Sequence, residues 1–250
     1  MGAHTLEIEG TTVWVEDRGT GPALLLLHGF TGSGADWEQV LDLDALAERY
    51  RVIVPDARGH GRSAIADASF SHRQCARDVA AILDALDVQR TSAIGMSLGG
   101  NTLLHLATMD PDRVEAMITI SAPSYFAESG RAIMRTFSAD DRSEGEWALM
   151  RQRHHHGDEQ IRALYEIGRG FADQHDDMAF TPPKLATIRA RTLIVAGDRD
   201  PFAPVEIAVE QYRAIPRCSL WVVPDAGHDA VFGPAKDTFV RTALDFLAVG

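Results

Sequence analysis

The chain has 250 residues, 45% hydrophobic and 24% charged, which is enough apolar material for one sizeable α/β core and contains no membrane-length apolar run. A formal net charge of −12 leaves no basic stripe to neutralise phosphates, so nucleic acid and anionic membrane surfaces are not expected partners. Two cysteines far apart, Cys75 and Cys218, cannot form a disulfide framework, and residues 1–9 lack the basic and apolar regions of a secretion signal, so the expected location is cytoplasmic.

Residues 6–8 and 12–16 flank Glu9-Gly10-Thr11 and predict an antiparallel hairpin. Residues 23–27 form a continuous apolar run, the pattern of a strand buried on both faces, and end in the glycine-rich loop His28-Gly29-Phe30-Thr31-Gly32. Residues 36–49 are expected to be helical, with Trp37, Val40 and Leu41 inward. Residues 52–54 form the next strand and run into a polar, glycine-rich loop at 55–63. Ser71-His72-Arg73-Gln74 fits a capping box, and Cys75, Val79, Ile82, Leu83 and Leu86 then recur at helical spacing, which places Cys75 on the buried face. A short strand from Thr91 turns at Gly95-Met96-Ser97-Leu98-Gly99 into a helix that Pro111 stops. Residues 116–120, 192–196 and 220–223 predict three more buried strands. A final helix at 235–248 carries Phe239, Val240, Leu244, Phe246 and Leu247 inward.

Strands alternating with helices predict a mostly parallel sheet of about eight strands covered by helices on both faces, the first two strands antiparallel. From 124 to 186 there are only helical patterns, marked by Met134, Trp147, Ile161, Leu164 and Phe171. The chain therefore divides into a core, 1–123 and 187–250, and a helical cap, 124–186, inserted between two core strands.

In open parallel sheets ligands bind beyond the carboxyl ends of the strands. His28, Asp56, Ser97, Asp198, Asp200 and His228 all fall there. Ser97 sits at a strand–turn–helix junction with a glycine two residues to either side, the G-x-S-x-G nucleophile elbow. The turn is too tight for side chains at the glycine positions, and the following helix aims its N-terminus where negative charge would develop. A serine, an acid and His228 occur in that order, the three groups that make a hydroxyl nucleophilic. Two acids, Asp198 and Asp200, follow the strand ending at Gly197, and Asp229 beside His228 is a third candidate.

HGFTG at 28–32, DARGHGRS at 56–63, GMSLGG at 95–100, GDRDPFAP at 197–204 and AGH at 226–228 are jointly specific. Over nearly its whole length the chain resembles the α/β-hydrolase fold superfamily, capped serine-hydrolase branch, esterase- or lactonase-like. The resemblance implies an α/β-hydrolase fold: a mostly parallel eight-stranded sheet flanked by helices, with a helical cap insertion. It implies that Ser97 is the nucleophile, Asp200 the acid and His228 the base, with an oxyanion hole formed by the backbone N–H groups of Phe30 and Leu98. Pro201 adds to the case for Asp200 by restricting the backbone there, whereas Asp198 is better placed to bond its own loop.

The implied activity is cleavage of a small-molecule carboxylic ester or lactone through an acyl-enzyme, with no metal or organic cofactor. Rival readings are hydrolysis of a carbon–carbon bond in a ring-cleavage dienoate and a ligand receptor on a hydrolase scaffold. Haloalkane dehalogenases and epoxide hydrolases are similar but use an aspartate where this chain has Ser97. Proline iminopeptidases carry Gly-Gly-Pro-Gly after the histidine, unlike Gly29-Phe30-Thr31-Gly32.

Other polar residues are expected to be structural: His28 and His60 bracing backbone, Asp56 and Arg58 stabilising their turn. His154, His155 and His156 are consecutive, so on a helix they point about 100° apart and cannot converge on one ion; a solvated helix face is expected. Phe126, Met134, Phe137, Trp147, Met150 and Phe171 are candidates for lining an acyl pocket beneath the cap. The cap resembles the superfamily in position and helical content only, so acyl and alcohol specificity and oligomeric state stay open.

Overall fold

The computed structural model describes residues 2–64 and 70–248. Strands β1 (Gly2–Ile8) and β2 (Thr11–Arg18) pair antiparallel through a turn at Glu9 and Gly10, both in the left-handed region. They are followed by β3 (Ala23–Leu27), a 3₁₀ turn (Gly34–Gln39), α1 (Leu43–Ala47), β4 (Arg51–Pro55), α2 (His72–Ala85), β5 (Thr91–Met96), α3 (Leu98–Met109) and β6 (Val114–Ile120). A mainly helical insertion comes next, tied by an antiparallel bridge between Tyr125 and Ala179: α4 (Glu128–Met134), α5 (Glu144–Arg153), α6 (Gly157–Gly170) and α7 (Pro182–Leu185). The chain closes with β7 (Arg191–Gly197), α8 (Val205–Ala214), β8 (Cys218–Val223) and α9 (Lys236–Ala248).

The eight strands form one sheet in the order β1-β2-β4-β3-β5-β6-β7-β8. β2 runs antiparallel to both β1 and β4, and every other neighbouring pair is parallel. From β3 the chain steps outward to β4, then returns to β5 on the other side of β3. The loops leaving β3 and β5 therefore diverge, and the crevice between them is where a doubly wound sheet accepts a ligand.

Side-chain alternation along the strands separates two cores. Leu25, Leu27, Ile53, Ala93 and Met117 face α2 and α3, whereas Leu24, Leu26, Val54, Ile94 and Ile118 face Trp37, α1 and α9. Each fully buried leucine contributes about 1.5–3 kcal/mol relative to exposure, so the central strands are anchored from both sides. Cys75 is buried, as its helical position implied.

The helix expected at 36–49 is two short pieces. Asp42 adopts an extended conformation and its side chain accepts from the N–H of Ala45, so it starts α1 afresh. The Ser71 capping box is half made. Ser71 accepts from the Gln74 N–H, but the Gln74 amide turns to Glu9 and Asp78. The first turn of α2 is instead satisfied by Asp177, from the end of the insertion, which accepts from the N–H groups of His72 and Arg73.

The histidine run departs from the solvated helix face expected for it. His154 is the C-cap of α5 and is buried: its Nδ1 accepts from the Gly61 N–H at 2.9 Å and its Nε2 donates to the Thr31 carbonyl at 3.1 Å. His155 and His156 are exposed, and His156 Nε2 donates to the Arg62 carbonyl. Gln160 adds contacts to the carbonyls of Gly59 and Ser63. The run is thus a seam docking the insertion onto the loop after β4. Among the described residues no cluster of His, Cys, Asp or Glu is arranged to hold a metal ion, and no helix is long and apolar enough to cross a membrane.

Candidate active site

Ser97 joins β5 to α3 with φ 49° and ψ −111°, a conformation that costs a non-glycine residue about 1–3 kcal/mol. The surroundings enforce it. A Cβ on Gly95 would lie 2.6 Å from the Gly99 backbone, and one on Gly99 would lie 2.2 Å from the Leu27 carbonyl oxygen. Only glycine lets α3 start this close to β3 and β5. The Ser97 N–H donates to Ile120 O, its carbonyl accepts from Asn101 N–H, and the Asn101 amide donates to Pro123 O. The strained residue is therefore held on three sides.

His228 lies in the loop after β8. Its carbonyl accepts from Ser121 Oγ, and its ring reaches back over Ser97. His228 Nε2 is 2.9 Å from Ser97 Oγ, and His228 Nδ1 is 2.8 Å from Asp200 Oδ2. An ionised carboxylate only accepts, so Nδ1 carries the proton and Nε2 presents its lone pair to the serine hydroxyl. The other oxygen of Asp200 accepts from the N–H groups of Phe202 and Ala203. Burial raises the Asp200 pKa, but the hydrogen bond and charge of His228 together with those two N–H groups outweigh it, and the carboxyl sits below its ordinary value.

Asp198 is exposed and accepts from the Ala226 N–H at 3.3 Å. It thus ties its loop to the neighbouring loop that carries His228, rather than bonding its own backbone as expected. Asp229 is exposed at the cavity rim. Of the three acids, only Asp200 bonds the His228 ring.

The N–H groups of Phe30 and Leu98 bond to no other group among the described residues. The loop carrying Phe30 is firmly braced. His28 Nδ1 donates to Gly29 O at 2.7 Å while His28 Nε2 accepts from the Ala57 N–H at 3.0 Å, and His154 holds Thr31 O. Asp56 accepts from the N–H groups of Gly34 and Arg62. Arg58 forms a buried two-point pair with Asp78 on α2, at 2.5 and 2.7 Å. His60 is fully buried and donates to Arg58 O; burial first, then the charges of His28 and His154, push its pKa well below 6.5. All four are bracing groups, as expected from their loops.

Ser97 and His228 open into a cavity of about 300 Å³ beneath the insertion. Phe126, Met134, Phe137 and Phe171 line it, as expected, but Trp147 and Met150 do not. Met150 packs with Ile161 and Leu164 inside the insertion. Trp147, half-buried, packs against the same cluster, and its ring carries the guanidinium groups of Arg151 and Arg162 at 5.1 and 5.3 Å. Helical spacing identified an inner face but could not divide it between packing and cavity. Lining residues not foreseen include His72, Arg142, Tyr165 and Phe202. Tyr165 and Phe202 had a signal, lying in the helical pattern of the cap and just after the acid, whereas His72 had none. A second chamber of about 290 Å³ shares Phe30, Thr31, Met96 and Asp229 with the first and continues to the Asp36–Arg153 ion pair.

A family model described as alpha/beta hydrolase fold matches residues 22–159. A 2-hydroxy-6-oxo-6-phenylhexa-2,4-dienoate hydrolase of Burkholderia cepacia is 27% identical over 273 aligned residues, covering 95% of this chain and 92% of its own. A 2-hydroxy-6-oxo-6-(2'-aminophenyl)hexa-2,4-dienoic acid hydrolase of Metapseudomonas resinovorans is 24% identical, covering 93% and 86%. The enol-lactonase from Burkholderia xenovorans LB400 superposes with a TM-score of 0.77 at 23% identity, covering 98% of this chain and 99% of its own, a likeness of fold.

Proposed function

The chain belongs to the α/β-hydrolase fold family, and from that premise we propose that it is a serine hydrolase cleaving a carboxylic ester or a lactone through an acyl-enzyme. The observation that carries the reading is the continuous chain Ser97 Oγ, His228 Nε2, His228 Nδ1, Asp200 Oδ2, with links of 2.9 and 2.8 Å, opening into an apolar cavity. In this reading residues 124–186 are the cap that roofs the site, and residues 1–123 and 187–250 are the core that carries the chemistry.

Ser97 Oγ attacks the acyl carbon as its proton passes to His228 Nε2. Asp200 stays ionised, fixes the tautomer and stabilises the imidazolium. The oxyanion is received by the N–H groups of Phe30 and Leu98, a type of contact whose loss costs about a hundredfold to a thousandfold in rate. Collapse expels the alkoxide, which takes the proton from His228. Water then attacks the acyl-enzyme with the same base, and Ser97 is regenerated. The ringed cavity takes the acyl group, and the second chamber takes the alcohol.

A second reading has a specific observation behind it. The two relatives above, matched over nine-tenths of this chain, are named as hydrolases of 2-hydroxy-6-oxo-hexa-2,4-dienoates. For a carbon–carbon bond the leaving group is a carbon that must be delocalised onto a conjugated carbonyl and protonated. Purified protein should be assayed on p-nitrophenyl esters, a lactone panel and a vinylogous diketone. Turnover of esters or lactones supports the first reading, and turnover of the diketone alone replaces it with the second. Ser97→Ala should lower whichever activity is found by more than about a thousandfold, since a triad acts as a unit. A fluorophosphonate should label Ser97 alone, and a loss below about a hundredfold would remove Ser97 as nucleophile.

A further inference from the structure

A second histidine–carboxylate pair, which the chemistry above leaves unused, reaches the cavity through its histidine. His72, the first residue of α2, is 2% exposed and lines the same cavity as Ser97. Its Nδ1 lies 2.7 Å from Asp177 Oδ2, and Asp177 also accepts from the backbone N–H groups of His72 and Arg73. An ionised carboxylate on Nδ1 places the proton there, so the neutral ring presents Nε2 as a bare acceptor. Burial raises the Asp177 pKa, but the hydrogen bond and charge of His72 and the two N–H groups outweigh it and bring it to about 2, so the carboxylate is ionised.

His72 Nε2 has no partner among the described residues. Unlike the Nε2 atoms of His60 and His105, it is not sealed from solvent. The contrast with His105 is informative. His105 lies on the other oxygen of Asp177 at 3.6 Å, fully enclosed against Phe180. Asp177 thus stands between one enclosed imidazole and one that opens into the cavity. Capping α2 requires only the backbone N–H groups and would not call for an imidazole on the cavity wall. The His72 ring itself is flanked by Phe171 at 4.8 Å and Phe126 at 5.5 Å, both of which line the cavity.

Resting on the serine-hydrolase reading, we propose that the His72–Asp177 pair is a recognition site for a hydroxyl group carried by an aromatic or conjugated acyl group. The rings supply flat apolar walls and His72 Nε2 accepts a hydrogen bond from the hydroxyl. An acyl group without the hydroxyl dehydrates Nε2 and leaves it unpaired, which is how a buried polar site rejects an otherwise similar substrate. His72 determines specificity and takes no part in bond making at the acyl carbon.

The test compares p-nitrophenyl esters of phenylpropionic acid and its ortho-, meta- and para-hydroxy derivatives. The wild type should prefer at least one hydroxy isomer by about tenfold in kcat/KM, the value of one good hydrogen bond. In His72→Asn the amide nitrogen replaces Nδ1 and keeps the Asp177 contact but removes Nε2, and the preference should collapse to about one. In His72→Gln the amide reaches the Nε2 position and should retain part of it. A wild type that favours no hydroxy isomer, or a preference that survives in His72→Asn, overturns the proposal. The first of these needs no variant to fold. Failure of the underlying reading looks different: no ester is hydrolysed, with or without the hydroxyl.

Discussion

At the scale of single residues, the assignment of the acid is the sharpest test of the site. Asp200 makes three hydrogen bonds, one to the His228 ring and two to backbone N–H groups, and its side chain is 1% exposed. Asp200→Asn preserves the shape but lets the amide donate to Nδ1, which turns the ring proton toward Ser97 and removes the acceptor that the serine requires. We expect kcat to fall by about a thousandfold or more with little change in KM. Asp198→Asn keeps an acceptor oxygen for Ala226 N–H but takes the charge off that one long contact, in an exposed loop. It should lower stability by about 1 kcal/mol or less and leave kcat within severalfold. Thermal melts and steady-state kinetics on the pair separate the roles, and reversed outcomes would make Asp198 the acid.

At the scale of elements, the insertion and the sheet divide the labour. The sheet holds Ser97, Asp200 and His228 at strand ends. The insertion supplies Met134 from α4, Tyr165 from α6 and the neighbouring rings Phe137 and Phe171, which shape the cavity. Chemistry and acyl selection should therefore separate under mutation. Phe137→Ala and Met134→Ala, which enlarge the cavity, should shift the preferred acyl chain to longer groups. Trp147→Ala should leave the ranking unchanged, because that ring does not line the cavity and packs instead against Met150, Ile161 and Leu164 under Arg151 and Arg162. A p-nitrophenyl ester series from acetate to decanoate reads the outcome, and an unaltered ranking in both enlarged variants would contradict an acyl site beneath the cap.

For the whole molecule, three enclosed histidines set the acid limit of stability. His154 and His105 are each brought down to about 4, in both cases first by burial, and His60 well below 6.5 for the same reason. Each group's folded pKa lies below its unfolded value. The unfolded chain therefore binds more protons between pH 6.5 and about 4, and stability falls as pH drops through that window. Asp177, with a folded pKa of about 2 against 3.8, adds a second loss from about pH 4 downward. The melting temperature should thus decline from near pH 6.5, above the ordinary carboxylate range. His154→Gln should flatten the decline between 6.5 and 4, although it lowers the melting temperature at neutral pH by breaking the seam to Gly61 and Thr31. A pH series of thermal melts on both proteins measures this, and an unchanged slope would acquit His154.

Much of this molecule was readable from local pattern. Continuous apolar runs revealed the buried strands, because a strand covered on both faces needs apolar residues at every position. The glycines around Ser97 were readable because the close approach of α3 to Leu27 O and the Gly95–Gly99 contact tolerate no side chain. The order serine, acid, histidine followed from the strand ends on which they sit. Features that depend on meetings between distant segments were not readable. His72 and Asp177 lie 105 residues apart, and His154 meets Gly61 across 93. No periodicity in either segment records its partner. The same limit misplaced Trp147, since a helix's apolar stripe shows what is covered and not which neighbour covers it. Local sequence determined the elements and the catalytic candidates. Only the tertiary fold decided what the helical insertion covers, which histidines are enclosed and which one borders the cavity, because burial and hydrogen bonding between remote segments arise from packing.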